Sequence, residues 1–168
     1  MLSIPKQFYD AMIQQAQSEH PNECCGLLAG KDGGVSQLYK IKNIVALEGL
    51  EAANFDDAKL AHLKSLSPED RAEIAFAMDA REMSSAFKDM RLNDIKLQVV
   101  YHSHPHGPNR PSVTDIKNAI GFDSMREKLN LPEPLHIIIS LQKRNQPEVK
   151  AYRIVEDQTT LEEFKIVG

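Results

Sequence analysis

The sequence lacks the material that several classes of protein require. Its 168 residues include no tryptophan, only two cysteines and 6% aromatic residues. The cysteines, Cys24 and Cys25, are neighbours, and a disulfide between neighbours is strained, so a disulfide framework is excluded. No stretch approaches the roughly 18 apolar residues that cross a bilayer, and the first residues lack the features of a signal peptide. We therefore expect a cytoplasmic protein that binds no membrane.

An excess of positive charge is also missing. There are 20 Lys and Arg residues against 24 Asp and Glu residues, a net charge of −4. Nucleic-acid binding needs clustered basic residues, and Lys143-Arg144 is only a pair, so we expect no nucleic-acid partner. The length suits one domain with a sizeable core, and we predict a single domain over residues 1–168. Its oligomeric state stays open.

Helical and strand patterns are both present along the chain. Helices are predicted at residues 5–18, 58–66, 79–92 and 115–129, with a further helix start at 67–70. Strands are predicted at residues 23–30, 35–44, 73–78, 97–101, 136–141 and 148–155, and the tail at 161–167 as a strand or a short helix. This order predicts an α/β (α+β) fold with a mixed central β-sheet flanked by helices.

The densest chemistry lies in residues 102–115, directly after an apolar strand. Because alternate residues of a strand point the same way, His102 and His104 can present both imidazoles to one point. A Pro- and Gly-rich stretch then turns the chain, and Asp115 can return from the first turn of the next helix. Two imidazoles and one carboxylate with a fourth position open are typical of catalytic zinc. We predict one Zn²⁺ per chain, bound by His102, His104 and Asp115.

Other residues near this segment have two interpretations each. Ser112 can donate its hydroxyl to an oxyanion, but Ser112-Val113-Thr114-Asp115 is also a helix-capping pattern. His106 either supports the site or is simply an exposed loop histidine. The alternation of the strand predicts that one of Cys24 and Cys25 is a buried packing thiol and that the other points to the opposite face. Neither has an identifiable partner that would activate it as a nucleophile.

The pattern His102-Ser103-His104, seven residues, Ser112, two residues, Asp115 resembles the JAMM motif of the catalytically competent MPN domain, the Mov34/PAD-1 group. That motif also has an upstream glutamate on the first strand of the domain, and Glu23 stands at the corresponding place. The resemblance covers most of the chain and is strongest to compact prokaryotic members, with similar phrases at residues 78–82 and 101–105. It implies a fold like the cytidine-deaminase sandwich.

The resemblance implies a zinc-dependent peptidase or isopeptidase that hydrolyses the amide bond after the C-terminus of a ubiquitin-like or sulfur-carrier protein with a Gly-Gly tail. By position, His102, His104 and Asp115 would be zinc ligands, Glu23 the general base and Ser112 the oxyanion stabiliser. Prokaryotic relatives of this kind release an amino acid such as cysteine, or a protein, from the carrier.

Two further features leave alternatives open. Residues of about 45–71 look like an insertion, which either grips the modifier protein or is a helix without a role in the reaction. The function also has two alternatives: a non-catalytic MPN-type binding module, and a small-molecule zinc amidohydrolase. Binding modules typically lack some residues of the motif, and none is missing here. The sequence identifies neither the carrier nor the leaving group.

Overall fold

The computed structural model describes residues 1–46, 50 and 55–168. In this part of the chain there are five helices: α1 Lys6–Glu19, α2 Asp57–Ser65, α3 Pro68–Ile74, α4 Ala80–Leu92 and α5 Val113–Lys128. The eight strands are β1 Leu2–Pro5, β2 Cys25–Lys31, β3 Gly34–Ile41, β4 Lys96–His104, β5 Leu135–Ser140, β6 Glu148–Val155, β7 Gln158–Glu162 and β8 Phe164–Val167. Among the described helices, none has the length and apolarity needed to span a bilayer.

All eight strands belong to one mixed sheet, with the order β7-β6-β5-β4-β2-β3-β1-β8. The central strand β4 is antiparallel to β2 and parallel to β5. Strand β1 lies between β3 and β8 and is parallel to both. The carboxyl end of β4 therefore lies at the middle of the sheet, where neighbouring strands support it on both sides. This confirms the predicted mixed central sheet.

Helices cover both faces of the sheet. On one face, α1 buries Met12 and Ala16 against a core that includes Cys24. On the other face, α4 and α5 pack against a second core that includes Cys25 and Phe87. The two cysteines thus point to opposite faces, as strand alternation predicts. Helices on both sides of one sheet form the three-layer sandwich that the resemblance implies.

A buried polar network fixes α1 to the two central strands. The Tyr101 hydroxyl on β4 donates to Gln15 Oε1 on α1 at 2.5 Å, and Gln15 Nε2 donates to the Cys25 carbonyl on β2 at 3.1 Å. Only glycine fits at position 26, since a Cβ there would lie 2.2 Å from the Tyr101 hydroxyl oxygen. Buried polar groups that are paired in this way hold β2 and β4 in a single register.

Several predicted elements need correction. Residues 73–78 are not a strand, because Glu73 and Ile74 end α3 and Met78 makes only an isolated bridge to Asn43. Within this segment, Ala75 and Ala77 are instead buried in a small satellite core. Strand β1 was not predicted, because four residues give too short a pattern and its hydrogen bonds come from distant strands. The tail forms two strands, β7 and β8.

The predicted insertion lies partly outside the described residues, since 47–49 and 51–54 are not among them. Its described part contains α2 and most of α3, whose buried side chains Leu63 and Ala72 belong to the satellite core. Helix α2 begins at the N-cap Asp56, which accepts from the Lys59 backbone N–H at 2.7 Å and forms an ion pair with Lys117 of α5. The insertion is therefore fixed to the helix that follows residues 102–112.

Candidate metal centre

Strand β4 brings two imidazoles together at its carboxyl end. His102 and His104 are alternate residues, and their Nε2 atoms lie 3.0 Å apart, as strand alternation predicts. His102 is 4% exposed, and the Phe76 ring stacks on it with ring centroids 4.7 Å apart. Because the His102 ring is enclosed, its orientation is set by packing.

The first turn of α5 brings a carboxylate to the same point. Ser112 is the N-cap: its Oγ accepts from the Asp115 N–H at 3.1 Å, and its own N–H donates to Asp115 Oδ2 at 2.8 Å. This capping box leaves Asp115 Oδ1 3.2 Å from His102 Nε2 and Oδ2 3.0 Å from His104 Nε2. The capping interpretation is thus confirmed, and the cap is what aims the acid at the imidazoles.

One hydrogen bond fixes which nitrogen of His104 carries the proton. Its Nδ1 lies 2.7 Å from the Pro108 carbonyl oxygen, which can only accept, so Nδ1 carries the hydrogen. In the neutral ring, Nε2 then presents its lone pair to His102 and Asp115. An outer hydrogen bond of this kind orients histidines that bind metals.

The Glu23 carboxylate also lies close to the two imidazoles. Glu23 precedes β2 rather than standing on the strand, which corrects the position that the resemblance implied. It is 5% exposed, and its carboxylate and the imidazole nitrogens of His102 and His104 lie within 4.8 Å of one another. Four groups predicted from the sequence therefore converge: the two imidazoles and the two carboxylates.

The backbone of Glu23 is held by residues that the sequence did not single out. Its N–H donates to the Ala72 carbonyl of α3 at 2.7 Å, and its carbonyl accepts from Asn43 Nδ2 at 3.0 Å. Asn43 also donates to the Ala75 carbonyl and accepts from the N–H groups of Val45 and Ala77. The segment predicted as an insertion thus contacts Glu23 through α3 and is not a structurally separate decoration.

We expect Asn43→Ala to lower hydrolytic activity without removing bound metal. The substitution leaves four backbone groups without their partner, at a cost of about 1–3 kcal/mol in the free energy of unfolding, and loosens Glu23. Urea denaturation, metal content and turnover measure the three effects. Asn93→Ala, at the exposed end of α4, is the matched control. Unchanged turnover in a destabilised Asn43→Ala variant would contradict a role in positioning Glu23.

The surroundings give the two carboxyl groups opposite pKa shifts. Burial acts to raise the pKa of Asp115, but the two imidazoles outweigh it, and the net pKa lies well below the usual range. Burial raises the pKa of Glu23 far above its usual value; the charge of Asp115 adds to this and that of Lys59 opposes it. Asp115 therefore stays ionised, whereas Glu23 is suited to gain and release a proton.

These groups open into a cleft of about 350 Å³. Its walls include Glu23, His104, Asp115 and the exposed side of Ser112. Lys59 of α2, Glu73 of α3 and Phe76, which follows α3, complete this part of the wall. His106 lies at the rim, exposed, with Nε2 3.2 Å from Glu73 Oε2 and its ring against His20. The sequence did not identify Lys59 or Phe76, because only the tertiary fold places them here.

The donor set fits a small divalent cation. Zinc binds imidazole nitrogen and carboxylate oxygen at about 2.0–2.2 Å, so tetrahedral donors lie roughly 3.3–3.5 Å apart. His102, His104 and Asp115 have donor atoms 3.0–3.2 Å apart, close to that spacing. Two nitrogens and one oxygen are ordinary zinc ligands, and three of them leave a position open toward the cleft.

A second cavity, about 310 Å³ and mainly apolar, lies behind His102 between the sheet and helices α4 and α5. His136 on β5 lines it. Burial, together with the charge of His102, lowers the pKa of His136 to about 4, although Asp123 and Asp115 oppose the shift. His136 is therefore neutral in the folded protein at neutral pH.

This shift predicts a pH dependence of stability. The unfolded chain protonates His136 below about pH 6.5 and the folded chain only near pH 4, so stability falls as the pH decreases through this window, by up to about 3 kcal/mol. His136→Gln should remove that component in denaturant titrations of metal-free protein. His62→Gln, on the exposed side of α2, is the control. Equal pH dependence in the His136→Gln variant and the parent would contradict the assignment.

Comparison with known proteins gives one family and several similar structures. The family described as prokaryotic homologs of the JAB domain matches residues 5–155. The chain is 26% identical over 167 residues to the CysO-cysteine peptidase of Mycobacterium tuberculosis, covering 99% of this chain and 92% of the relative.

Two solved structures agree with this match. A Desulfitobacterium hafniense protein, DSY2949, is 30% identical, with a TM-score of 0.69 over 99% of this chain and 93% of the other. The JAB1/MPN domain protein AF2198 from Archaeoglobus fulgidus is 16% identical, with a TM-score of 0.52 over 100% of this chain and 98% of the other. At that identity, the second likeness concerns the fold alone.

Proposed function

This chain belongs to the family of prokaryotic homologues of the JAB domain, and from this premise we propose that it is a zinc-dependent peptidase. Its substrate is a sulfur-carrier or ubiquitin-like protein with a Gly-Gly tail, and it hydrolyses the amide bond after that tail. The protein works in the cytoplasm and holds one Zn²⁺ per chain.

The observation that carries the proposal is the convergence of four groups on one point. The Nε2 atoms of His102 and His104 lie 3.0 Å apart, and each lies 3.0–3.2 Å from one of the two Asp115 carboxylate oxygens. The Glu23 carboxylate lies within 4.8 Å of the same imidazole nitrogens. A structural zinc site uses four protein ligands, and we assign three of these groups as ligands and the fourth, Glu23, as the acid that acts beside the metal.

The pKa shifts support the division of roles between the two acids. Asp115 is ionised and lies against both imidazoles, so we assign it as the third ligand. We assign Glu23 as the general base because its carboxylate lies within 4.8 Å of the imidazole nitrogens and because a raised pKa makes the ionised carboxylate a stronger base. His104 Nε2 is the free nitrogen of its ring, as a ligand requires.

Zinc, when bound, would act as a Lewis acid for the substrate carbonyl and for water. The side chains perform the remaining steps. Glu23 takes a proton from the attacking water as the water oxygen bonds to the carbonyl carbon, and Ser112 donates its hydroxyl to the oxyanion that forms. The carbon–nitrogen bond then breaks, and Glu23 delivers its proton to the leaving amine.

The shape of the cleft and one relative support the choice of substrate. A cleft of about 350 Å³ admits an extended tail, and glycines allow the backbone to approach the donors closely because they have no side chain. The relative from M. tuberculosis is a CysO-cysteine peptidase. A carrier protein with one or more residues after its tail is therefore the substrate to test.

The test combines metal analysis with hydrolysis of extended carriers. The purified protein should hold one zinc per chain and cleave C-terminally extended carrier proteins from the same genome, with mass spectrometry locating the cut after Gly-Gly. Full zinc content with no cleavage of any carrier would favour a binding module instead. Cleavage of small amides alone would favour an amidohydrolase, and absence of metal would contradict the site.

A further inference from the structure

The cleft contains one positive charge that the proposed reaction does not use. Lys59 lies in the first turn of α2, is partly buried and lines the cleft together with Glu23 and Asp115. Its backbone N–H donates to the N-cap Asp56, which in turn pairs with Lys117 of α5. An ion pair thus joins the start of α2 to α5, and Lys59 contributes to the wall of the cleft next to it.

The Lys59 ammonium has no fixed partner of its own. Among the described residues, no ion pair or side-chain hydrogen bond joins it to another group. The charge of Lys59 lowers the pKa of Glu23 against the effect of burial, so the ammonium acts on the same cleft. A partly desolvated ammonium beside a hydrolytic site is a ready partner for an anionic group of the substrate.

The position of that anionic group follows from the chemistry of the leaving amine. The Gly-Gly tail has no charged side chain, so the acyl side offers nothing to Lys59. If the leaving group is a single amino acid, its carboxylate carbon lies about 2.5 Å from the scissile nitrogen, one Cα away. Glu23 delivers its proton to that nitrogen, so a cation that binds the carboxylate has to share the cleft with Glu23, as Lys59 does.

We propose that Lys59 binds the α-carboxylate of a single C-terminal amino acid, so that the enzyme releases one amino acid from the end of the carrier. This inference rests on the proposed function. An isopeptide bond to a lysine side chain, or a longer C-terminal extension, places no carboxylate at this distance from the scissile nitrogen. Binding of the carboxylate by Lys59 would therefore favour a carrier with a one-residue extension over these two kinds of substrate.

The experiment changes only the charge of the leaving group. A sulfur-carrier protein from the same genome that ends in Gly-Gly is extended by one alanine, as the free acid and as the primary amide. The zinc-loaded wild-type protein should prefer the acid in kcat/KM by about tenfold or more, the effect of one charge-assisted hydrogen bond. Lys59→Met should reduce this ratio to near one, and Lys59→Arg should retain most of it.

Controls separate the inference from the proposed function. Lys150→Met, on the exposed side of β6, should keep the wild-type ratio, and zinc content and melting temperature should match in all variants. If wild type cleaves neither substrate, the proposed function fails. If it cleaves acid and amide equally, or if Lys59→Met slows both to the same extent, the proposed function stands and the role of Lys59 is overturned.

Discussion

Glu23→Gln should keep its zinc and lose at least about a hundredfold in turnover. Glutamine has nearly the same shape, and the backbone of residue 23 stays held by Ala72 and Asn43, so the fold and the three metal ligands are preserved. The amide cannot accept the proton of water, however, and general acid–base catalysis typically contributes about 10²–10⁴-fold. Metal analysis and single-turnover hydrolysis of an extended carrier measure the two quantities on the same sample.

Glu19→Gln is the matched control for this variant, because it makes the same substitution four positions earlier, at the end of α1. It should leave turnover within about twofold. Loss of zinc from Glu23→Gln would mean that Glu23 is a ligand rather than the base, and unchanged turnover would mean that it has no part in proton transfer.

His104→Ala should lose stoichiometric zinc and with it all measurable hydrolysis. Its Nε2 is a central donor, 3.0 Å from both His102 Nε2 and Asp115 Oδ2. Removal of even an outer partner of a metal ligand costs about 10–100-fold in affinity, so loss of the ligand itself should weaken zinc binding by more than about a hundredfold. Competition with a chelator of known zinc affinity measures the change.

His106→Ala is a close control, because the same side chain is removed two residues later, in the loop that follows β4. His106 is exposed and contacts Glu73, and it does not belong to the convergent donor group. Its zinc affinity should stay within about threefold of wild type. Equal zinc affinity in the His104→Ala variant and wild type would refute the metal centre, whatever the activity of either protein.

The sequence predicted most of the fold because its signals are local. The apolar strand before His102, the hairpin at residues 31–34 and the helix start at Ser67 all appear where their patterns place them. Predictions failed where a distant partner decides the structure. Strand β1 depends on β8 at the opposite end of the chain. Residues 73–78 were predicted as a strand, but Ala75 and Ala77 pack into the satellite core with Leu63 and Ala72.

The metal centre likewise has a part that local sequence patterns predict and a part that depends on distant contacts. Strand alternation alone places the imidazoles of His102 and His104 on one side, and the Ser112 cap alone turns the Asp115 carboxylate back toward them, because both effects act within a few residues. The sequence by itself therefore determined the three proposed ligands.

Only the tertiary structure decided what surrounds these ligands. Glu23 reaches the imidazoles because β2 pairs with β4, and its backbone is held by Asn43 and by Ala72 of the α2–α3 region. Lys59 lines the cleft because α2 packs beside the site, where its N-cap Asp56 pairs with Lys117 of α5. These contacts join segments far apart in the chain, and no local pattern records them, because their geometry exists only once the sheet and its helices have packed.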